Sequence, residues 1–250
     1  MRIDPEDWVM KMSYGRIWDD MVAMFRGHSE LLLAVAGVFL FLPSLLSHLL
    51  IPEPMISERG VAALEQFVAH YRANFRTIFL LSLPTALGQA AILALLLDAA
   101  RPTVAMALRK GLMLLPGFVL LNILVNFTVA FGLLLFILPG LYLIGRTYAA
   151  AAALVAENQP NPLRAYGRGI AITRGNGWRV LGMLAIMVVI GIILSAAITS
   201  VVGVVFALLA SPEASGVATA IAAAATDMLI ALALTLFAAA LYRALAPATH

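Results

Sequence analysis

The sequence predicts an all-α fold, a polytopic membrane helical bundle of about six transmembrane helices, and two observations carry that reading. Hydrophobic residues fill 63% of the 250 positions and charged residues 12%, with a mean hydropathy of +0.99; a soluble domain has roughly 45–50% apolar and about 25% charged residues. So little charge cannot cover a water-facing surface, which leaves lipid as the solvent. The apolar residues also fall in runs of the ~20 residues that a helix needs to cross ~30 Å of hydrocarbon. No stretch between the runs is long enough for a separate globular unit, so residues 1–250 read as a single membrane domain.

An amphipathic helix is expected first, over residues 13–27. Tyr14, Ile17, Trp18, Met21, Val22 and Phe25 share one face, while Arg16, Asp19, Asp20 and Arg26 lie elsewhere on the wheel. It is too polar to span and suits the headgroup plane. The first span follows over 31–51 and stops at Pro52 and Pro54; the second covers 75–99 and stops at Asp98, Arg101 and Pro102. The first run has no small-x-small cleavage site after it and reads as a retained signal anchor. Residues 112–156 contain one basic side chain, Arg146, and are about twice as long as one crossing requires. They must fold back, and Pro139-Gly140 is the best turn signal, giving spans at 112–138 and 141–156.

Asn161-Pro162 reads as an N-cap followed by proline at the first helical position. The short helix that follows sets an apolar stripe of Leu163, Tyr166 and Ile170 against Arg164 and Arg168, with Gly175 as its stop. Residues 103–111, with Arg109 and Lys110, form a weaker amphipathic segment. Spans at 178–200 and 226–244 complete the six. Each amphipathic segment leads into a pair of spans, a pattern that suggests three helix-pair repeats.

Lysine and arginine counts in short loops set orientation. Arg2, Lys11, Arg16, Arg26, Arg101, Arg109, Lys110, Arg164, Arg168, Arg174, Arg179 and Arg243 fall on the N-terminal side of this topology. Arg59, Arg72 and Arg76 fall on the other, and Arg146 lies within a span. Both termini are therefore expected in the cytoplasm, with the amphipathic segments on the inner leaflet. Anionic lipid there attracts each basic residue by about 1 kcal/mol.

The candidate lipid or partner contacts are Arg146, Arg164, Arg168, Arg174, Trp178 and Arg179. Arg146 is expected close to the outer face, where an arginine in lipid costs ~3 kcal/mol or more unless it snorkels or pairs. The candidate intramembrane polar groups are Asn122, Asn126 and Asp227, with Gln89 and Thr128 beside them. Amides there bond across helices for ~1 kcal/mol or line a transport path. Asp227 has two readings. A sixth helix starting near Val217 puts it deep enough to pair with Arg146, whereas one starting at Thr226 makes it an ordinary N-terminal acid. His48 and His70 have no partners at metal spacing, and the chain has no cysteine, so no metal site is read. No catalytic motif, cofactor loop or nucleic-acid stripe is found.

The stretch Leu138-Pro139-Gly140-Leu141-Tyr142-Leu143, then Arg146, then Thr173-Arg174-Gly175-Asn176-Gly177-Trp178-Arg179-Val180-Leu181-Gly182 resembles a known family. It is similar to the bacterial membrane domain fused to some glycerophosphodiester phosphodiesterases, and to the related YciC-type inner-membrane proteins. The resemblance covers about residues 112–189. It implies a six-helix protein of the bacterial inner membrane. It does not imply phosphodiesterase activity, because that resides in a separate soluble domain, and Phe25-Arg26-Gly27-His28 does not reproduce its His-Arg-Gly motif. Gly169-Ile170 stands where the family commonly has a serine.

The expected function is a non-enzymatic membrane module that contacts anionic membrane lipids or organises a partner, either another membrane protein or a second copy of this chain. The alternative is a transporter or channel for small molecules or lipids that uses Arg146 and the Asn122/Asn126 stripe.

Overall fold

The structure, a computed structural model, describes residues 13–52, 54, 59–98, 100, 102–209 and 211–246, and all the regular structure among them is helical. The helices are α1 (Tyr14–Ala36), a π turn (Gly37–Phe41), α2 (Leu42–Leu50), α3 (Val61–Leu97), α4 (Val104–Leu135), α5 (Ile137–Thr147), α6 (Ala150–Ala156), α7 (Pro162–Ile172), α8 (Gly177–Leu209) and α9 (Pro212–Leu245). Six helical stretches are long and apolar enough to cross a membrane. The chain is an all-α, multi-pass membrane protein. Arg2, Lys11 and Arg101, counted above for orientation, lie outside the described residues.

The span limits differ from those read in the sequence. Helix α1 is two helical pieces joined across a kink at His28, the one residue in it with non-helical dihedrals, so the piece expected over 13–27 is set off from the span that follows. Ile17, Met21 and Met24 are buried there, whereas Tyr14 and Trp18 are exposed. Before Pro43 the hydrogen-bond ladder slips by one residue, with the Leu42 N–H bonding to the Gly37 carbonyl. Proline offers no N–H and crowds the carbonyl four residues earlier, and a π turn makes room for it. Residues 103–111, by contrast, continue without a break into α4, which is capped by the Thr103 hydroxyl. Helix α9 starts at Pro212 behind a Ser211 cap, well before residue 226.

The turn between the third and fourth spans lies at Phe136, whose extended backbone separates α4 from α5. Pro139 and Gly140 sit in the first turn of α5. Proline is tolerated there because its missing N–H would have had no helical partner. Gly140 serves packing instead: a β-carbon on Gly132 would lie 3.0 Å from the Gly140 Cα, and one on Gly140 would collide with Leu133.

Small residues set the other close approaches. Helix α6 is almost all alanine, and Ala152, Ala153, Leu154 and Val155 are fully buried. A β-carbon at Gly169 of α7 would come within 2.7 Å of the Ala150 Cα. The same reasoning places Gly145 against the Gly177 carbonyl and Gly117 against the Pro160 carbonyl. Helix α7 therefore buries Ala165, Gly169 and Ile172, while Leu163, expected in its apolar stripe, is exposed. The stripe and the packed face of α7 are therefore different faces of the helix. In lipid large apolar side chains gain nothing by turning inward, and the smallest side chains set the interface.

Polar contacts close one end of the bundle. Arg243 pairs with Asp20, tying the end of α9 to the start of α1. Glu157 accepts from Arg168 at 2.6 Å and from the Tyr242 hydroxyl at 3.1 Å, joining the α6–α7 connection to α9. In the α3–α4 loop, the Ala100 N–H and Lys110 hold the Asp98 carboxyl below the usual carboxylate range. Of the three suggested helix-pair units, α8 and α9 pack extensively, but so do α3 and α4, which belong to different units.

Gly167 and Gly169 provide a test of this packing on one helix. A Gly169→Ala variant is expected to lower stability by ~1–3 kcal/mol through overpacking. Gly167→Ala, with open space around it, should be neutral or stabilising by up to ~1 kcal/mol. Thermal unfolding in one detergent, followed by circular dichroism, would separate the two.

Candidate functional site

Two groups of polar side chains lie among the helices. The first lines a cleft of about 570 Å³ between α3, α4, the α5–α6 region and α9. Gln89, Asn122, Asn126, Thr147, Tyr148, Asp227 and Thr235 contribute its polar surface, set among leucine, isoleucine, valine and phenylalanine side chains. A second cavity of about 620 Å³ between α3 and α4 shares Gln89, Asn122 and Asn126 with the first. The structure thus brings together Asn122, Asn126 and Asp227.

Hydrogen-bond accounting fixes what these groups offer. Asn122 Nδ2 donates to the Phe118 carbonyl at 3.0 Å, and Asn126 Nδ2 donates to the Asn122 carbonyl at 2.8 Å. A backbone carbonyl can only accept, so each amide must turn its nitrogen to the helix and leave its oxygen free. Thr147, Tyr148 and Thr235 likewise donate their hydroxyl protons to the carbonyls of Leu143, Leu234 and Ala231. Gln89 makes no hydrogen bond among the described residues.

Asp227 meets neither of its two sequence readings. It lies far inside α9, so it is not an N-terminal acid, and it does not pair with Arg146. Its Oδ2 accepts from Ser44 Oγ at 2.8 Å and from His48 Nε2 at 2.9 Å, which joins α2 to α9. Ser44 and His48 are one turn apart on α2 and so reach the same carboxylate oxygen. They do not bond each other, and the arrangement is a carboxylate holding two donors rather than a hydroxyl activated by an imidazole.

The second group surrounds Arg146. Instead of sitting near the α4–α5 turn, Arg146 lies ~15 Å along the helix from Phe136 and packs against the start of α8. Its aliphatic stem crosses Gly177, where a β-carbon would lie 2.8 Å from Arg146 Cδ. The guanidinium carbon is 5.9 Å from the Tyr142 ring centroid. Thr173 donates its hydroxyl to the Arg146 carbonyl at 2.7 Å and to the Gly169 carbonyl at 2.9 Å, locking α7 to α5. Arg146 Nη1 is buried and has no hydrogen-bond partner among the described residues.

The remaining candidates divide around this point. Trp178 is exposed, and its ring centroid lies 5.4 Å from that of Tyr142. Arg174 is exposed on the α7–α8 connection and Arg179 on the first turn of α8, where it reaches Asn176 at 3.5 Å. Arg164 is exposed on the first turn of α7. Arg168 is engaged with Glu157. Sequence reasoning missed Ser44, Tyr142 and Thr173 as partners, and for Asp227 no local signal could have found one: Ser44 and His48 are 183 and 179 residues away. No group of three metal-ligating side chains occurs among the described residues.

The chain was compared with family models, with curated proteins and with solved structures, and none of the three comparisons gave a match.

Proposed function

We propose that the protein is a non-enzymatic module of the bacterial inner membrane that holds anionic lipid at the inner leaflet, at the junction of α5, α7 and α8. The observation that carries this reading is Arg146, whose buried Nη1 has no partner among the described residues. A guanidinium keeps its charge, and an uncompensated one within a span is costly. Arg146 packs against Gly177 at the start of α8, and the anion that a bilayer supplies where a span begins is a lipid phosphate, which guanidinium groups bind through strong charge-assisted hydrogen bonds. Trp178 and Tyr142 are the aromatic types that favour the headgroup level, and Arg174 and Arg179 add positive potential beside them. The two segments that carry the family resemblance, 138–146 and 173–182, are the ones that meet at Arg146, which supports the same reading.

Both termini face the cytoplasm in this proposal. Its support is the twelve-to-three division of basic residues between the two sides. A second reading, transport of a small molecule or lipid, is favoured by the amides of Gln89, Asn122 and Asn126 along the cleft. In that reading Arg146 takes no part in the pathway, since it does not line the cleft.

Native mass spectrometry of the protein released from mixed phosphatidylglycerol and phosphatidylcholine nanodiscs tests the lipid site. Arg146→Leu is expected to lower retained phosphatidylglycerol roughly tenfold or more, and Arg146→Lys, a point charge without the fork, should keep part of it. Equal retention by all three proteins would end the proposal. Orientation has its own test, because the chain has no cysteine. A membrane-impermeant maleimide added to intact cells should label Arg59→Cys and spare Ser13→Cys; the reverse pattern would invert the topology.

A further inference from the structure

The cleft between α3, α4 and α9 differs from the Arg146 junction in the ligand that its chemistry admits. Asn122 and Asn126 each spend one amide N–H, and Thr147, Tyr148 and Thr235 their hydroxyl protons, on backbone carbonyls, so apart from one N–H on each asparagine the polar capacity left on these lining residues is that of acceptors. The acceptors left are the two asparagine amide oxygens, the unbonded oxygen lone pairs of the hydroxyls, and Asp227 Oδ1, since Oδ2 already takes Ser44 and His48. Gln89 has its whole amide free and can serve in either sense. Among the described residues, Asp227 is the only carboxylic acid lining the cavity, and no lysine, arginine or histidine lines it.

A site rich in acceptors, with one acid and no basic side chain among its described lining residues, repels phosphate and carboxylate heads and is complementary to a cationic donor. The remaining wall is apolar, with Leu93, Phe118, Val125, Ile144 and Leu234 among its residues. Its volume of about 570 Å³ falls in the range of small-molecule sites, roughly 300–1,000 Å³. We propose that this cleft binds a lipid-soluble amine, its ammonium group against Asp227 and the Asn122 and Asn126 amide oxygens and its apolar body along α4 and α9. This goes beyond the anionic-lipid reading and is independent of it, because the two sites share no residue and select opposite charges.

Asp227 then does two things with one carboxylate. Oδ2 fastens α2 to α9 through Ser44 and His48, and Oδ1 faces the ligand. The arrangement predicts that Asp227→Asn, which is isosteric and can still accept from Ser44 and His48, preserves the helix contact while removing the charge that selects the amine.

The test uses the full chain in phosphatidylcholine nanodiscs, with radiolabelled hexadecylamine as the probe and hexadecanol and hexadecyl phosphate as competitors. One amine should be retained per protein, with excess alcohol or phosphate competing at least tenfold less well than unlabelled amine. Asp227→Asn should weaken retention roughly ten- to a hundredfold. Ala231→Phe, which fills the cleft from α9, should abolish retention while leaving Asp227 in place. Phosphatidylglycerol retention at Arg146, read on the same proteins, should be unchanged by either substitution, so loss of one site is distinguishable from loss of the other. Equal amine retention by wild type and Asp227→Asn, undiminished retention by Ala231→Phe, or competition by hexadecanol as strong as by the amine would each overturn the proposal.

Discussion

Everything in this structure depends on how closely helix backbones approach one another in a solvent that does not push them together. Lipid tails are as apolar as leucine, so burying a leucine between two spans gains little, and association rests on contact area and on polar bonds. The chain meets that constraint with side chains that are nearly absent. Alanine-rich α6 is enclosed by its neighbours, and Gly169, Gly145, Gly117 and the Gly132–Gly140 pair mark crossings where a β-carbon would not fit. The large apolar residues point the other way: Leu134, Phe136, Ile137, Leu208 and Leu209 are among the most exposed in the molecule.

Both polar sites are consequences of this arrangement. Gly177 has no side chain, and that absence lets the Arg146 stem cross the start of α8; Thr173 then anchors the crossing by bonding the Arg146 carbonyl. The guanidinium ends in a place where the protein itself offers no described acceptor. The cleft lies where the helices are walled by larger residues and leave space. Its amides satisfy their own helix first, as a span must, and what remains sets the chemistry of whatever enters.

Much of this was legible in the sequence. Composition and run length gave the membrane class, and Asn161-Pro162 marked the start of α7, where the Asn161 side chain caps Leu163 and Arg164. The limits of the spans were less legible for a physical reason. Residues 212–225 are rich in alanine and small polar residues and are ambiguous between loop and helix, so the sixth span read as starting at 226 when it starts at Pro212. Pro139-Gly140 is an ordinary turn signal, yet here proline occupies a first helical turn and glycine a helix crossing. The apolar stripe of α7 was legible, but its packed face, made of Ala165, Gly169 and Ile172, was not, because the small residues on it carry no hydrophobic signal. Candidate polar residues could be listed from the sequence, but their partners could not. Asp227 meets Ser44 and His48 only because α2 and α9 lie side by side, and nothing local encodes that neighbour.

The central claim is that the half-buried guanidinium of Arg146 is completed by a lipid phosphate and not by the protein. A density map of the protein in nanodiscs containing phosphatidylglycerol tests it most directly. The expected result is headgroup density with a phosphate oxygen ~2.7–2.9 Å from the Arg146 guanidinium, bounded by Tyr142 and Trp178. An Arg146 side chain bonded to a carboxylate of the protein, or turned away from Gly177 into water with no headgroup beside it, would contradict the account.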